Sequence, residues 1–223
     1  MSDKLVETSS RFIIIGGVCG NSPYMAKEGP LEPLRSALLD LLSWFRAADV
    51  RGLIIGGVAS SLLGEPRTTR DVDALVLLDP SEWERFLQKG SPFGFEPRHS
   101  DCLAFAKRTR VLLMRHAPTK VAIDISFGAL PFEEEAFRRS VSVKIGNLSV
   151  PLPTPEDLII MKAVAHRPRD AADIEGLVQA NSKLDLKRVR YWVNEFTKVL
   201  EMPEIYEDLE KILKAVRPKK KSR

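Results

Sequence analysis

Apolar positions recur along this chain in three rhythms, and the rhythms divide it. Residues 31–49 set Leu34, Leu38, Leu41, Leu42 and Phe45 on one face at helical spacing. Short continuous apolar runs follow at 52–56 and 71–78, and 121–127 is another, rich in β-branched residues; these predict buried strands. Residues 102–106 and 110–116 read as a strand pair, and 141–151 as a hairpin around Gly146-Asn147. Helices are predicted at about 58–64, from Asp79-Pro80-Ser81 through Trp83 and Phe86, and at 131–139. An earlier strand-like run, 11–18, carries its own Gly16-Gly17, while 1–10 is polar and 21–30 reads as loop. After Pro153 the rhythm changes. Thr154-Pro155-Glu156-Asp157 offers a cap, a first-turn proline and an acid at the third position. From there to about residue 216 every pattern is helical.

The order of elements predicts an α+β protein: a mixed sheet flanked by helices, then a C-terminal helical domain. The expected divisions are an N-terminal extension (1–30), a core (31–152), a helical domain (153–216) and a basic tail (217–223). An apolar content of 44 % can fill such a core. No run of about eighteen apolar residues predicts a membrane span. The N-terminus lacks the basic and apolar regions of a secretory signal, and Cys19 and Cys102 do not form a disulfide framework or a zinc site, so a cytoplasmic protein is expected.

Charge adds one feature. The net charge is +4, yet residues 217–223 alone hold five cations, so the body is near neutral. A second excess spans 98–120, where Arg98, Lys107, Arg108, Arg110, Arg115 and Lys120 face only Asp101. Such segments suit phosphate backbones, although a solvated tail and a polar hairpin are equally good readings.

The chemistry concentrates in residues 52–76. An apolar strand runs into Gly56-Gly57, where the backbone can approach a bound group and the following helix start offers N–H donors to phosphate. A second strand opens with Asp71-Val-Asp73, whose carboxylates share one face because side chains two apart on a strand point the same way. Hard oxygen ligands of that kind suit Mg²⁺. Asp124 lies inside the apolar run 121–127, and an acid there needs a metal, a cation or a solvent-lined cleft. If the strands are neighbours, Asp71, Asp73 and Asp124 with a triphosphate can hold two metal ions roughly 4 Å apart. Lys162 stands alone in the apolar stretch 158–165 and should reach an acid or a phosphate, or else snorkel to the surface. Arg169 and Asp173 have the spacing to pair with each other. Arg67 and Arg70 flank the acidic pair. His99, His116 and His166 lack metal-ligand spacing, and Trp44, Trp83 and Trp192 read as core.

These residues resemble the nucleotidyltransferase superfamily that shares its palm with DNA polymerase beta. The shared signature is the glycine pair, a short helix, the Asp-x-Asp pair and a later single Asp. Within it the chain looks most like the branch of abortive-infection toxins. The matching residues are Arg67-Thr-Thr69-Arg-Asp71-Val-Asp73, then Pro155-Glu-Asp-Leu158, Lys162 and Arg169-Asp170-Ala-Ala-Asp173. Many members have serine directly after the glycines; here Val58 stands there, and Ser60 and Ser61 are the nearest hydroxyls. The resemblance implies Mg²⁺-dependent (alternatively Mn²⁺-dependent) transfer of a nucleoside monophosphate from an NTP such as ATP to an acceptor hydroxyl. Asp71, Asp73 and Asp124 would be the catalytic and metal-binding residues, and Gly56, Gly57, Ser60, Arg67, Thr69 and Lys162 the nucleotide-binding ones. An RNA or tRNA end is the acceptor it favours, with a protein or a small molecule such as an aminoglycoside as alternatives. A toxin role with an antitoxin partner is the third expectation, and a non-catalytic nucleotide- or RNA-binding module the rival one.

Overall fold

The computed structural model describes residues 32–216. The run at 11–18 with Gly16-Gly17, Cys19, and the basic tail lie outside the described residues. Helix α1 (Glu32–Ala48) buries Leu38, Leu41, Leu42 and Phe45, the face its periodicity marked, together with Ala37 and Trp44. It stops at Asp49, whose φ is +58°. Strand β1 (Gly52–Ile55) follows, and helix α2 (Gly56–Leu63) begins at the glycine pair itself. Strand β2 (Asp71–Val76) then leads through a 3₁₀ turn to α3 (Trp83–Gln88). The Asp79 side chain starts that turn by accepting the Ser81 amide at 2.9 Å.

Two features depart from the predicted order. A three-residue strand, β3 (Phe95–Pro97), is too short to leave a periodicity. Residues 102–106, predicted as a strand, lie in helix α4 (Cys102–Thr109). The buried positions are Cys102 and Ala106, one helical turn apart, while Lys107 and Arg108 are exposed. A five-residue apolar run does not discriminate between the two periods; packing decides.

Strands β4 (Val111–His116) and β5 (Ala122–Phe127) complete a five-stranded sheet of order β1-β2-β5-β4-β3. Only the central β2–β5 pair is parallel; β1–β2, β5–β4 and β4–β3 are antiparallel. One face of the parallel pair is sealed, with Val72, Ala74, Ile123 and Ile125 fully buried, while the opposite face opens at Asp71, Asp73 and Asp124. Helix α5 (Pro131–Arg139) precedes the predicted hairpin, β6 (Val141–Ile145) and β7 (Leu148–Leu152), which turns at Gly146 with φ +60°.

From α6 (Pro155–Ala165) onward the described chain is helical, through α7 (Asp170–Ala180), α8 (Leu186–Leu200) and α9 (Pro203–Ala215). The Thr154 side chain caps α6 by accepting the Asp157 amide, as its sequence position predicted. Buried residues of α6 through α9 share one continuous apolar cluster with α1 and the sheet. Among the described residues no helix is long and apolar enough to cross a membrane.

A buried ionic knot ties α5, α6 and α8. Asp157, fully buried, accepts Arg188 Nε at 2.8 Å and lies 3.4 Å from Arg139 Nε. Arg188 also donates to Glu135 at 2.6 Å. Removing one partner of such a knot leaves the others charged and desolvated. Asp157→Ala is therefore expected to lose on the order of 3 kcal/mol of unfolding free energy with an unchanged denaturant slope, measured by urea titration.

Candidate active site

The site forms where β1 ends, β2 begins and β5 runs beside them. In the sheet register Asp73 pairs with Ile55 across β1 and with Asp124 across β5. Two carboxylates thus stand side by side on parallel strands, and Asp71 lies two residues up the same face as Asp73. The turn out of β1 is held tightly against them. Gly56 has φ +62°, and a Cβ there would fall 1.8 Å from Asp73 Oδ2. A Cβ on Gly57 would fall 2.5 Å from Thr69 Oγ1 and 3.1 Å from Arg67 Nη2. Both glycines are needed, the first for its left-handed backbone and both for want of a side chain. The residue before α2 is Ile55, which has no side-chain acceptor, so the first N–H groups of the helix are uncapped from within.

Electrostatics identify the acids as a coupled group. Burial raises the pKa of the Asp73 carboxyl, and repulsion from Asp71 and Asp124 raises it further, against the pull of Lys162 and Arg167. Asp124 is likewise raised by burial and by Asp71, while Arg98 and Arg167 oppose the shift. The guanidinium of Arg98 donates directly to Asp124 Oδ1. Among the described residues no three His, Cys, Asp or Glu side chains are gathered as a ready metal-ligand set. Mg²⁺ needs only one or two protein carboxylates when phosphates supply further oxygens, so the donors fit the ion. A cation is also what these mutually repelling carboxylates require.

The remaining predicted residues have partners of their own. Thr69 Oγ1 donates to Asp71 Oδ1 at 2.9 Å, inside the site. Ser60 is buried and bonds back to the Gly56 carbonyl at 3.0 Å, so its hydroxyl serves the helix. Arg67 grips Asp173 with two bonds, Nε to Oδ1 at 2.6 Å and Nη2 to Oδ2 at 3.0 Å. Lys162 reaches acids, one of the two outcomes its apolar setting allowed: Asp170 at 3.0 Å and Asp173 at 2.7 Å. Asp173 therefore pairs across the fold and not with Arg169, as local spacing had suggested. Burial pushes its carboxyl up, but the hydrogen bonds from Arg67 and Lys162 prevail and hold it below the usual range.

Sequence reasoning missed Arg98 and Arg167 as neighbours of the acids. Arg98 follows the short β3, and Arg167 sits in the α6–α7 connection; no motif marks either. Half of the basic excess at 98–120 is engaged within the fold: Arg98 on Asp124, and Arg110 and Arg115 elsewhere. Arg115 pairs with Glu96 at 2.7 Å, and Arg110 donates to the carbonyls of Phe127 and Gly128.

A mixed sheet carrying a glycine turn against paired acids, followed by packed helices, is the architecture of a nucleotidyltransferase. The chain belongs to the family described as nucleotidyltransferase of unknown function (DUF6036), whose profile matches residues 38–216. Among solved structures it is similar to the antibiotic-resistance factor ANT(2'')-Ia, with 13 % identity, 78 % of this chain and 97 % of that one covered, and a TM-score of 0.53. The lincosamide antibiotic adenylyltransferase LnuA, bound to lincomycin, aligns at 15 % identity over 65 % of this chain and 96 % of its own, with a TM-score of 0.46. An antigenic nucleotidyltransferase-like protein from Paracoccidioides brasiliensis aligns at 14 % identity over 80 % and 91 %, with a TM-score of 0.45. No curated protein matches the sequence. The enzyme class follows from the family match, and the fold from that match and the likeness to ANT(2'')-Ia; the toxin-like branch does not follow.

The raised carboxyl of Asp73 has a consequence for stability. A carboxyl whose pKa is higher in the fold than in the unfolded chain costs nothing while both are protonated. The cost grows as pH rises through the ordinary value of 3.8 and is complete above the folded value. In metal-free protein, Asp73→Asn should therefore melt at a higher temperature than wild type at pH 7. The gap should close as pH falls below 3.8, as followed by circular dichroism across a pH series.

Proposed function

We propose that the enzyme transfers a nucleoside monophosphate from an NTP to an acceptor hydroxyl at the Asp71–Asp73–Asp124 face. The observation that carries this reading is the contact between Gly56 and the Asp73 carboxylate, which sets a phosphate-binding turn directly beside charged oxygen ligands. The uncapped first N–H groups of α2 receive the β- and γ-phosphates. Asp71 and Asp73 hold Mg²⁺, with Asp124 completing the set. When bound, the ion supplies positive charge that stabilises the developing negative charge on the phosphoryl oxygens.

The acceptor oxygen forms a bond to the α-phosphorus, the bridge from α- to β-phosphate breaks, and pyrophosphate leaves with that electron pair. Asp124 orients the acceptor hydroxyl and takes its proton, a role suited to a carboxyl whose pKa is raised by burial. Positioning and fixed charge account for most of the acceleration in such a reaction. An RNA 3′ end is the acceptor this reading favours. Its support is the resemblance to abortive-infection toxins, the exposed cations Lys107 and Arg108 on α4, and the basic residues at 217–223.

The test is incubation with labelled NTPs, Mg²⁺ and separate RNA, protein and small-molecule fractions, with pyrophosphate release followed in parallel. Label is expected in RNA, and Asp73→Asn or Asp71→Asn is expected to lower transfer by about 10³-fold or more. Label confined to small molecules would move the acceptor assignment. Transfer by Asp73→Asn at near the wild-type rate would remove the site assignment altogether.

A further inference from the structure

A cavity of about 260 Å³ opens between α6, α7 and α9. Its walls are aliphatic, formed by Ala163, Ala171, Ile174, Ile205, Leu209 and Ile212. Set into that apolar lining is a polar pair: His166 Nε2 lies 3.1 Å from Asp208 Oδ2. Lys162, Arg167 and Asp170 line the same cavity, and Lys162 and Asp170 are bonded to each other at 3.0 Å. Lys162 also bonds Asp173 at 2.7 Å, and Asp173 grips Arg67, whose Nη2 lies 3.1 Å from where a Gly57 Cβ would stand, so the cavity backs onto the glycine turn. Arg167, from the cavity lining, favours the charged forms of Asp73 and Asp124. An occupant thus meets aliphatic walls and a hydrogen-bonding pair, while its other end faces Arg167.

We propose, resting on the nucleotidyltransferase reading above, that this cavity seats the nucleobase of the NTP, with Arg167 on the phosphates that lead from it to Asp71 and Asp73. Size restricts the occupant. Pockets that bury drug-sized molecules run at roughly 300–1,000 Å³, so this one takes a single ring system and not a whole antibiotic scaffold. Charge restricts it further. A polycationic aminoglycoside needs acids without partners, and here Asp170 is bonded to Lys162 and Asp208 to Lys211; a neutral flat base fits the aliphatic walls, with its edge to His166 and Asp208 and its phosphates toward Arg167. The two imidazole and carboxylate groups can donate to and accept from a base edge, and that edge contact is the source of any preference among the four bases.

The experiment compares ATP, GTP, CTP and UTP with inorganic tripolyphosphate, each titrated by calorimetry into the full-length protein with Mg²⁺. Tripolyphosphate carries the phosphates without a base. At least one NTP is expected to bind more tightly than tripolyphosphate. Ala171→Trp, placed at an exposed position on the cavity wall, should weaken that NTP by about tenfold or more, the scale on which an apolar pocket rejects one misfitting group. Its affinity for tripolyphosphate should stay within about twofold. Leu209→Ala, which enlarges the cavity without adding bulk, should weaken the same NTP selectively and guards against misfolding of the first variant. If tripolyphosphate binds as tightly as every NTP, or if neither variant separates the two ligands, the base pocket is overturned and the phosphate turn stands. If wild type binds neither tripolyphosphate nor any NTP, both readings fall.

Discussion

The chain passes from β1 into α2 through a residue that has no Cβ, and the rest of the site depends on that passage. Gly56 sits in the left-handed region with the Asp73 carboxylate against its Cα. Any other residue would meet both a strained backbone and an occupied volume. Because Asp73 is also in register with Asp124 on the parallel strand, the same contact fixes the turn, the paired acids and the third acid relative to one another. The sheet supplies rigidity here. The face of its central strands opposite the acids is fully buried, and both strands are hydrogen-bonded on either side, so the acids project from backbone that cannot readily shift.

Around this centre the fold places cations in two ways. Arg98 and Arg167 face the acids directly and offset charge that burial and mutual repulsion make costly. Arg67 and Lys162 are held one layer back by Asp170 and Asp173. The resemblance assigned those two cations to phosphate, and the described structure gives them carboxylate partners. An arginine and a lysine locked by aspartates still contribute positive field at the turn, but their direct bonds are spent on joining α6 and α7 to the loop before β2.

Much of this was legible in the sequence, for physical reasons that differ by element. The helix at 31–49, the strands carrying the acids and the cap of α6 followed from periodicity and local hydrogen bonding, which act within a few residues. Asp124 was legible because an acid in an apolar strand contradicts its surroundings. Residues 102–106 were misread because five apolar positions fit either period, and only their packing on the sheet chose helix. Arg98 was not legible at all: its bond to Asp124 spans 26 positions and exists only once β4 and β5 are in register. Lys162 was half legible, since burial predicted that it needed a partner while the fold alone named Asp170 and Asp173.

The sharing of Asp173 has a consequence for how this sequence can drift. One carboxylate serves an arginine 106 positions earlier and a lysine on the neighbouring helix. Loss of that carboxylate takes both of Arg67's bonds to it and leaves Lys162 with Asp170 alone, and loss of either cation leaves the carboxylate with half its support. Positions 67, 162 and 173 are therefore coupled in inheritance: a lineage that changes one is under pressure to change the others.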